Sequence, residues 1–428
     1  MANAAAPNPF AIGVAGLDCS SRRLTRALAE KRLAIVVFDR NAENIQALQN
    51  ESPGTSIHNA DSLAQFLGLL RPFRTIVVSG PDVGGYLFAD LLEQLEAGDM
   101  VIDAGDCFFK DCVRRARFLA ERNVRYLGLG IIGEEGLVLL AGGGREIYQN
   151  VLPLLESAAS TKDGEPCVRY LGPAPATGHF VKMIHDGIEH TLMQLALEIS
   201  ALLKRALVLD DEKLRDATKA WQLGAPNSGP RDDAARRTSQ VARELDAPAP
   251  TIDAAVGMRT LSELEKQNDF ATTLFRQPVG HFGDDPDSIL DELHGALHAA
   301  TIITYAEGMA VLATGSERYG FDLDLPEVLR LWQVCGGIRA ALLDEMAAAI
   351  QATPNLPNLL YDDDLSEKVM EQQERLRHAV WRAGQLQTPV PALMASLDYL
   401  DSDRGAWLPG NLIQATPTPP RLAALGRR

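Results

Sequence analysis

Across residues 1–176, short β-branched runs alternate with amphipathic stretches, and this alternation restricts the chain more than any other feature. AIGVAG, AIVVF, TIVVSG and MVIDAG read as buried strands, because apolar runs of this length in α/β proteins are covered on both faces. SSRRLTRALAEK and GYLFADLLEQLE, which lie between such runs, carry helical periodicity. Strands separated by helices form βαβ units, and right-handed crossovers wind them into a parallel sheet with helices on both faces. RYLGLGII, LVLLAGG and VRYLG extend that sheet.

From Thr177 the pattern changes. TGHFVKMIHDGIEHTLMQLALEISALLKRALVL has no internal proline and predicts a helix of about thirty residues. Helical patterns continue through LHAATIITYAEGMAVLATGSERYG and ERLRHAVWRAGQ, and strand signals cease. The helical half also repeats itself: LDDEKLRDATKAWQLG and FDLDLPEVLRLWQVCGG each run from an acidic start to a Trp-Gln pair, Trp221-Gln222 and Trp332-Gln333. The expected organisation is an α/β domain over residues 1–176, a duplicated all-helical domain over 177–415 and a Pro-rich, then basic tail over 416–428.

Composition excludes several classes of partner. With 41 basic against 57 acidic residues the formal charge is −16, which disfavours nucleic acid or an acidic membrane surface. No run of 18 or more apolar residues is present, so no membrane span is expected. The opening MANAAAPNPF has neither the charged nor the apolar part of a secretory signal. Cys19, Cys107, Cys112, Cys167 and Cys335 are scattered, odd in number and without a C-x-x-C pair, which fits a reducing cytoplasm and gives no structural zinc pattern.

Two stretches carry candidate chemistry. AIGVAGLDCSSRRL sets Gly13 and Gly16 between a strand and a helix, where backbone amides meet a pyrophosphate. At the end of the next strand Asp39 suits the 2′-hydroxyl of NAD and Arg40 the 2′-phosphate of NADP, so the cofactor stays open with a tilt toward NADP. Asp18 and Ser21 stand where the phosphate turn wants small neutral residues, which weakens nucleotide binding. In the long helix Lys182, His185, Asp186 and Glu189 fall at i, i+3, i+4 and i+7 on one face. Lys182 and Glu189 are about 10 Å apart along the axis, room for a small substrate between a base and an acid. The same face also suits an ordinary solvated stripe of charge. His294 and His298 read as a helix surface, and Cys107 and Cys112 as packing residues with no base beside them.

HFVKMIHDGIE, with GDMVIDAGD, GEEG, GEPCVRYLGP, ITYAEG, LYDDD and LPGNLIQA, resembles the 6-phosphogluconate dehydrogenase family from about residue 11 to 415. The resemblance implies a Rossmann-like domain, then a duplicated all-helical domain and a tail that enters the partner subunit of a dimer. It also implies an NADP-dependent oxidation of a sugar acid followed by loss of CO2, as in the pentose phosphate pathway. Lys182 matches the family's general base and Glu189 its acid; His185 and Arg259 match substrate-holding residues. A neutral lysine, its pKa lowered by desolvation, would serve as that base.

The departures lie at functional positions. Asp186 and Asp106 stand for asparagines, His190 for a tyrosine on the substrate phosphate and Ser79 for a lysine. The family's substrate loop is shortened to Ile132-Gly133, Arg236 stands near a family lysine, and the tail lacks the family's arginine and histidine. His190, Asp186 and Asp106 are nonetheless carried over as substrate contacts. Two readings follow: an oxidoreductase with altered polar contacts, or a non-catalytic dimeric homologue. A homodimer is expected because helices over Thr191–Val208 and Ala299–Ala313 carry more apolar surface than one sheet domain covers.

Overall fold

The β-branched runs form an eight-stranded sheet. In the computed structural model the described residues are 10–80, 86–133, 136–218, 221, 231–262, 285–334, 340–354 and 356–405. The sheet contains β1 (Phe10–Ala15), β2 (Ile35–Phe38), β3 (Ile57–Asn59), β4 (Leu70–Val78), β5 (Met100–Asp103), β6 (Arg125–Ile132), β7 (Val138–Gly143) and β10 (Val168–Tyr170). Their order is β10-β7-β6-β5-β4-β1-β2-β3, and β8 (Thr161–Lys162) pairs separately with β9 (Glu165–Pro166). The central strands are covered on both faces: Ile35, Val36, Val37, Val101 and Ile102 are fully buried.

Parallel pairing holds from β3 across to β6, but β6 and β7 pair antiparallel. The Rossmann-like sheet thus carries an antiparallel step beyond its parallel core. Five residues separate β6 from β7, too few for a crossover and enough for a hairpin. Helices α1 (Cys19–Glu30), α2 (Ala42–Glu51), α3 (Leu63–Leu69), α4 (Tyr86–Gln94), α5 (Phe109–Ala120) and α6 (Arg145–Ala158) connect the strands. The edge strand β3 escaped the sequence reading because His58 and Asn59 are exposed and carry no apolar run.

Among the described residues no strand follows β10. The helical half comprises α7 (Thr177–Leu207), α8 (Asp211–Thr218), α9 (Arg231–Glu244), α10 (Pro250–Ser262), α11 (Pro286–Tyr319), α12 (Leu325–Trp332), α13 (Ala340–Ala352), α14 (Asp363–Leu386) and α15 (Pro391–Asp403). The two long helices cross closely where α11 has glycine: a Cβ on Gly308 would meet Ile188, and one on Gly315 would meet Phe180. Ala299, Ile302, Ile303, Val311 and Leu312 are fully buried within this one chain. The apolar surface over Ala299–Ala313 is therefore covered without a partner, contrary to expectation. α11 is also long and apolar enough to cross a membrane, yet 72% of its apolar window is buried in protein, as in a core helix. Gln222, Cys335 and the tail over 416–428 lie outside the described residues.

The order of elements in the helical half runs twice in a similar way. α7, α8 and Trp221 follow the same sequence of elements as α11, α12 and Trp332. Each long helix also carries a buried glutamate that reads a helix N-terminus. Glu198 on α7 accepts the Ala392 and Leu393 N–H groups, each at 3.0 Å, at the start of α15. Glu307 on α11 accepts from Thr251 N–H at 3.0 Å, Thr251 Oγ1 at 2.6 Å and Ile252 N–H at 3.3 Å at the start of α10. Both capped helices begin after the same Pro-x-Pro pattern, Pro248-Ala249-Pro250 and Pro389-Val390-Pro391. These orphan donors sit where water does not reach, and a carboxylate at the positive end of a helix satisfies them.

Burial pushes the Glu307 carboxyl up to about 8 from its ordinary 4.5, against the donors of Thr251 and Ile252. Between those two pH values the folded chain holds a proton that the unfolded chain releases, so this group's contribution to stability falls as pH rises. Urea unfolding at pH 5 and pH 8 should therefore show Glu307→Gln gaining stability relative to wild type at the higher pH. Parallel pH profiles for the two proteins would contradict the assignment.

Candidate active site

Glycines bring α7 onto the sheet at backbone distance. A Cβ on Gly178 would lie 2.0 Å from the Leu140 carbonyl oxygen, and one on Gly130 would lie 2.3 Å from that of Gly178. Gly128 and Gly142 face the carbonyls of Pro175 and Ala174 in the same way. Only hydrogen fits at these crossings. Lys182, one turn into the helix, is thereby set directly over Gly130 of β6.

Its ammonium is held between two carboxylates. Lys182 Nζ is 2.9 Å from Asp106 Oδ1 and 2.5 Å from Asp186 Oδ2. Asp186 Oδ1 lies 3.0 Å from His185 Nδ1, and the His185 ring meets Trp332 edge-on at 5.3 Å. The helical face read from the sequence is thus real for Lys182, His185 and Asp186. Asp106 joins them from the loop after β5. Burial alone would pull the lysine down, but Asp186 and Asp106 outweigh it and hold Lys182 above the ordinary lysine range. Burial likewise pushes Asp186 up, and Lys182 and His185 reverse this to hold it well below the usual carboxylate range. Desolvation therefore does not by itself make Lys182 a neutral base here, because the carboxylates at positions 106 and 186 favour its charged form.

The Asp106 loop is anchored by a residue that sequence reasoning missed. Arg237 on α9 donates to the Asp106 carbonyl at 2.8 Å and lies over the Phe108 ring. Its neighbour Arg236, the sequence candidate, is exposed. Adjacent arginines cannot be told apart before the phase of the helix is known.

The glycine turn faces the same cleft. Gly16 has φ +86°, and a Cβ there would strike the Ser79 carbonyl oxygen at 1.8 Å. Gly13 lies inside β1 under the Phe66 ring, which gives it a packing reason rather than a place at the turn. Asp18 caps α1, accepting from Ser21 N–H at 2.8 Å and Ser79 Oγ at 2.5 Å. Burial and the charge of Asp106 push the Asp18 carboxyl up, so the turn and the lysine cluster interact electrostatically. A carboxyl that takes up a proton more readily repels an incoming phosphate less.

Asp39 accepts from Leu17 N–H at 2.6 Å, Asn41 N–H at 2.7 Å and Asn44 Nδ2 at 3.2 Å, tying the glycine turn to the start of α2. Arg40 pairs with Asp90 at the surface, both side chains half exposed. Arg23 of α1 donates to the carbonyl of Gly133, fastening the shortened loop. Along α7, Glu189 is half-buried and His190 buried; Arg259 is exposed in the last turn of α10. His294 and His298 are exposed, and His294 stacks on Trp221. Cys107 and Cys112, expected to pack without a base nearby, instead lie beside the imidazole of His179.

Comparison with known proteins gives a consistent picture. Residues 11–172 match the family model described as the NAD binding domain of 6-phosphogluconate dehydrogenase, and residues 178–228 and 231–417 match its C-terminal domain. The chain is 33% identical to the decarboxylating 6-phosphogluconate dehydrogenase of Synechococcus elongatus over 94% of both sequences. It is 32% identical to the Escherichia coli enzyme over the same shares. Among solved structures, Plasmodium falciparum 6-phosphogluconate dehydrogenase, described in apo form and with its cofactor NADP+ and its substrate 6-phosphogluconate, superposes with a TM-score of 0.80 at 27% identity. That match covers 94% of each chain.

The charge clamp is testable without turnover. In Asp106→Asn/Asp186→Asn, burial acts on Lys182 unopposed and the lysine should become nucleophilic at lower pH. Labelling by an amine-reactive ester, followed by mass spectrometry across pH, should show the Lys182 inflection moving down by about one unit or more. An unmoved inflection would contradict the clamp.

Proposed function

The chain belongs to the 6-phosphogluconate dehydrogenase family, and we propose that it is an NADP-dependent oxidoreductase that oxidises a β-hydroxy sugar acid with loss of CO2. The substrate is 6-phosphogluconate or a close relative. One observation carries this reading: Lys182 is fixed on α7 over β6 and is coupled through Asp106 to the glycine turn at Asp18.

The residues present fit the cofactor. Gly16 with its positive φ and the N-terminus of α1 form the turn that takes a pyrophosphate, and half-exposed Arg40, paired with Asp90, would exchange that partner for a 2′-phosphate. When bound, NADP supplies the hydride acceptor. Asp39 serves the glycine turn as much as a ribose, since three donors already engage it.

Lys182 takes the proton of the substrate hydroxyl as the C–H bond breaks, so it must first lose its own. The β-keto acid so formed loses CO2, and Glu189, two turns along α7, protonates the resulting enediol. His185, Asp186, His190 and Asp106 contact the substrate around Lys182, and Arg259 meets its phosphate from α10. The charge clamp of Asp106 and Asp186 favours the second reading, a non-catalytic homologue, because a lysine held as ammonium is a poor base.

A homodimer and a cytoplasmic setting belong to this proposal. Exposed Leu197 and Met394 on the helical half supply apolar surface for a partner, and the free thiols Cys19, Cys107, Cys112 and Cys167 suit a reducing compartment.

The experiment is NADPH formation from 6-phosphogluconate and a panel of unphosphorylated aldonic acids between pH 7 and pH 10. Turnover should rise with pH as Lys182 gives up its proton, and Lys182→Ala should lose roughly 10²–10⁴-fold. Light scattering of the same preparation should give about twice the 46.4 kDa chain mass. No turnover with any acid, together with no NADP binding, would establish the non-catalytic reading, and a single species at the monomer mass would overturn the dimer.

A further inference from the structure

Three side chains that the proposed reaction does not use converge beneath the Asp106 loop. Cys107 follows Asp106, Cys112 lies in the first turn of α5, and His179 lies on α7 one turn before Lys182. The two sulfurs are 3.1 Å apart, closer than neutral thiols pack, and both lie within 4.8 Å of a His179 ring nitrogen. All three residues are buried, and the His179 ring nitrogens make no hydrogen bond of ordinary geometry, the Cys107 thiol being the polar group beside them. A buried imidazole left this way is costly unless something else binds it. Asp103 stands behind the group, 4.0 Å from Cys107 Sγ and 3.9 Å from His179 Nε2, itself held by Arg115 at 2.8 Å and by the Tyr126 hydroxyl at 2.7 Å.

We propose that Cys107, Cys112 and His179 form a binding site for a thiophilic divalent cation of the zinc class, with Asp103 as fourth ligand or outer partner. The chemistry of the donors is right: two sulfurs and one neutral imidazole are a set that zinc takes at about 2.3 Å and 2.0 Å. At a tetrahedral angle those bond lengths separate the sulfurs by about 3.7 Å, a shift of less than 1 Å from the structure. Charge also balances. Two thiolates and Asp103 carry three negative charges, and the cation and Arg115 carry three positive ones.

Each ion displaces two thiol protons, which leave to solvent, so no oxidant or reductant is needed. The neighbouring Cys112 thiol, burial and the charge of Asp103 push the Cys107 thiol up, which makes binding strengthen as pH rises. A Cys107–Cys112 disulfide is the competing outcome, but it would close the sulfurs by about 1 Å and still leave His179 without a hydrogen bond of ordinary geometry. The structural effect of the cation would be to fasten the Asp106 loop to α7.

The test uses the full chain, reduced and stripped of metal, titrated with Co2+ and then Zn2+. One Co2+ per chain should bind with a thiolate-to-cobalt charge-transfer band, release two protons and be displaced by Zn2+. Cys112→Ser should weaken binding at least about 10-fold and lose about half of the band. A wild-type band that never appears, or Cys112→Ser binding as tightly as wild type, would overturn the proposal. Maleimide labelling of the wild type in mild urea, where buried thiols are transiently exposed, needs no variant: Zn2+ should slow modification of Cys107 and Cys112 while leaving exposed Cys19 unaffected. Equal labelling with and without Zn2+, or ready conversion of the pair to a disulfide in the presence of Zn2+, would also contradict it.

Discussion

Backbone contact between α7 and the sheet is the constraint on which the molecule depends. Gly128, Gly130 and Gly142 remove the Cβ where the strands pass closest to the helix, and Gly178 removes one from the helix itself. At these crossings backbone meets backbone, and Tyr126, Ile132, Val138 and Leu140 beside them share a buried core with Phe180, Val181 and Ile184. This joins the α/β half to the helical half and fixes the height of Lys182 above β6. The carboxylates that charge the site reach the lysine from two directions, Asp186 from the same helix and Asp106 from the β5 loop. Moving the helix outward would separate Lys182 from Asp106 while leaving Asp186 in step.

The helical half solves a different problem, burying two helices of 31 and 34 residues in one chain. Close crossings at Gly308 and Gly315 seat α11 against α7. Glu198 and Glu307 then lock this half together, since the glutamate of α7 caps α15 and that of α11 caps α10. Such buried caps are demanding. Losing a carboxylate would leave two or more amides without water or partner, at about 1–3 kcal/mol each.

Much of this was legible in the sequence where the determinant is local. Residues 125–132 form β6 as their apolar run predicts, and α7 begins at Thr177 as the change in texture indicates. Lys182, His185 and Asp186 share a face because helical spacing requires it. What was not legible depends on residues distant in sequence. The electrostatics of Lys182 need Asp106, the antiparallel turn into β7 is a tertiary outcome, and the contact of Arg237 with the loop appears only once α9 is placed. The Cys107–Cys112 pair stood near in sequence, but its imidazole comes from α7. The covering of α11 was missed for the same reason, since the helices that bury it follow or precede it by many residues.

The claim that the glycine contact joins the two halves is tested most directly by urea unfolding of Gly178→Ala beside Gly384→Ala. A methyl at position 178 meets the Leu140 carbonyl, whereas nothing lies within 4 Å of one at position 384 on α14. Gly178→Ala should lose about 1–3 kcal/mol or more and unfold in two separated transitions where the wild type shows one. Gly384→Ala should be unchanged or gain up to about 1 kcal/mol, as alanine does in an exposed helix. Indistinguishable unfolding of Gly178→Ala and wild type would contradict the account.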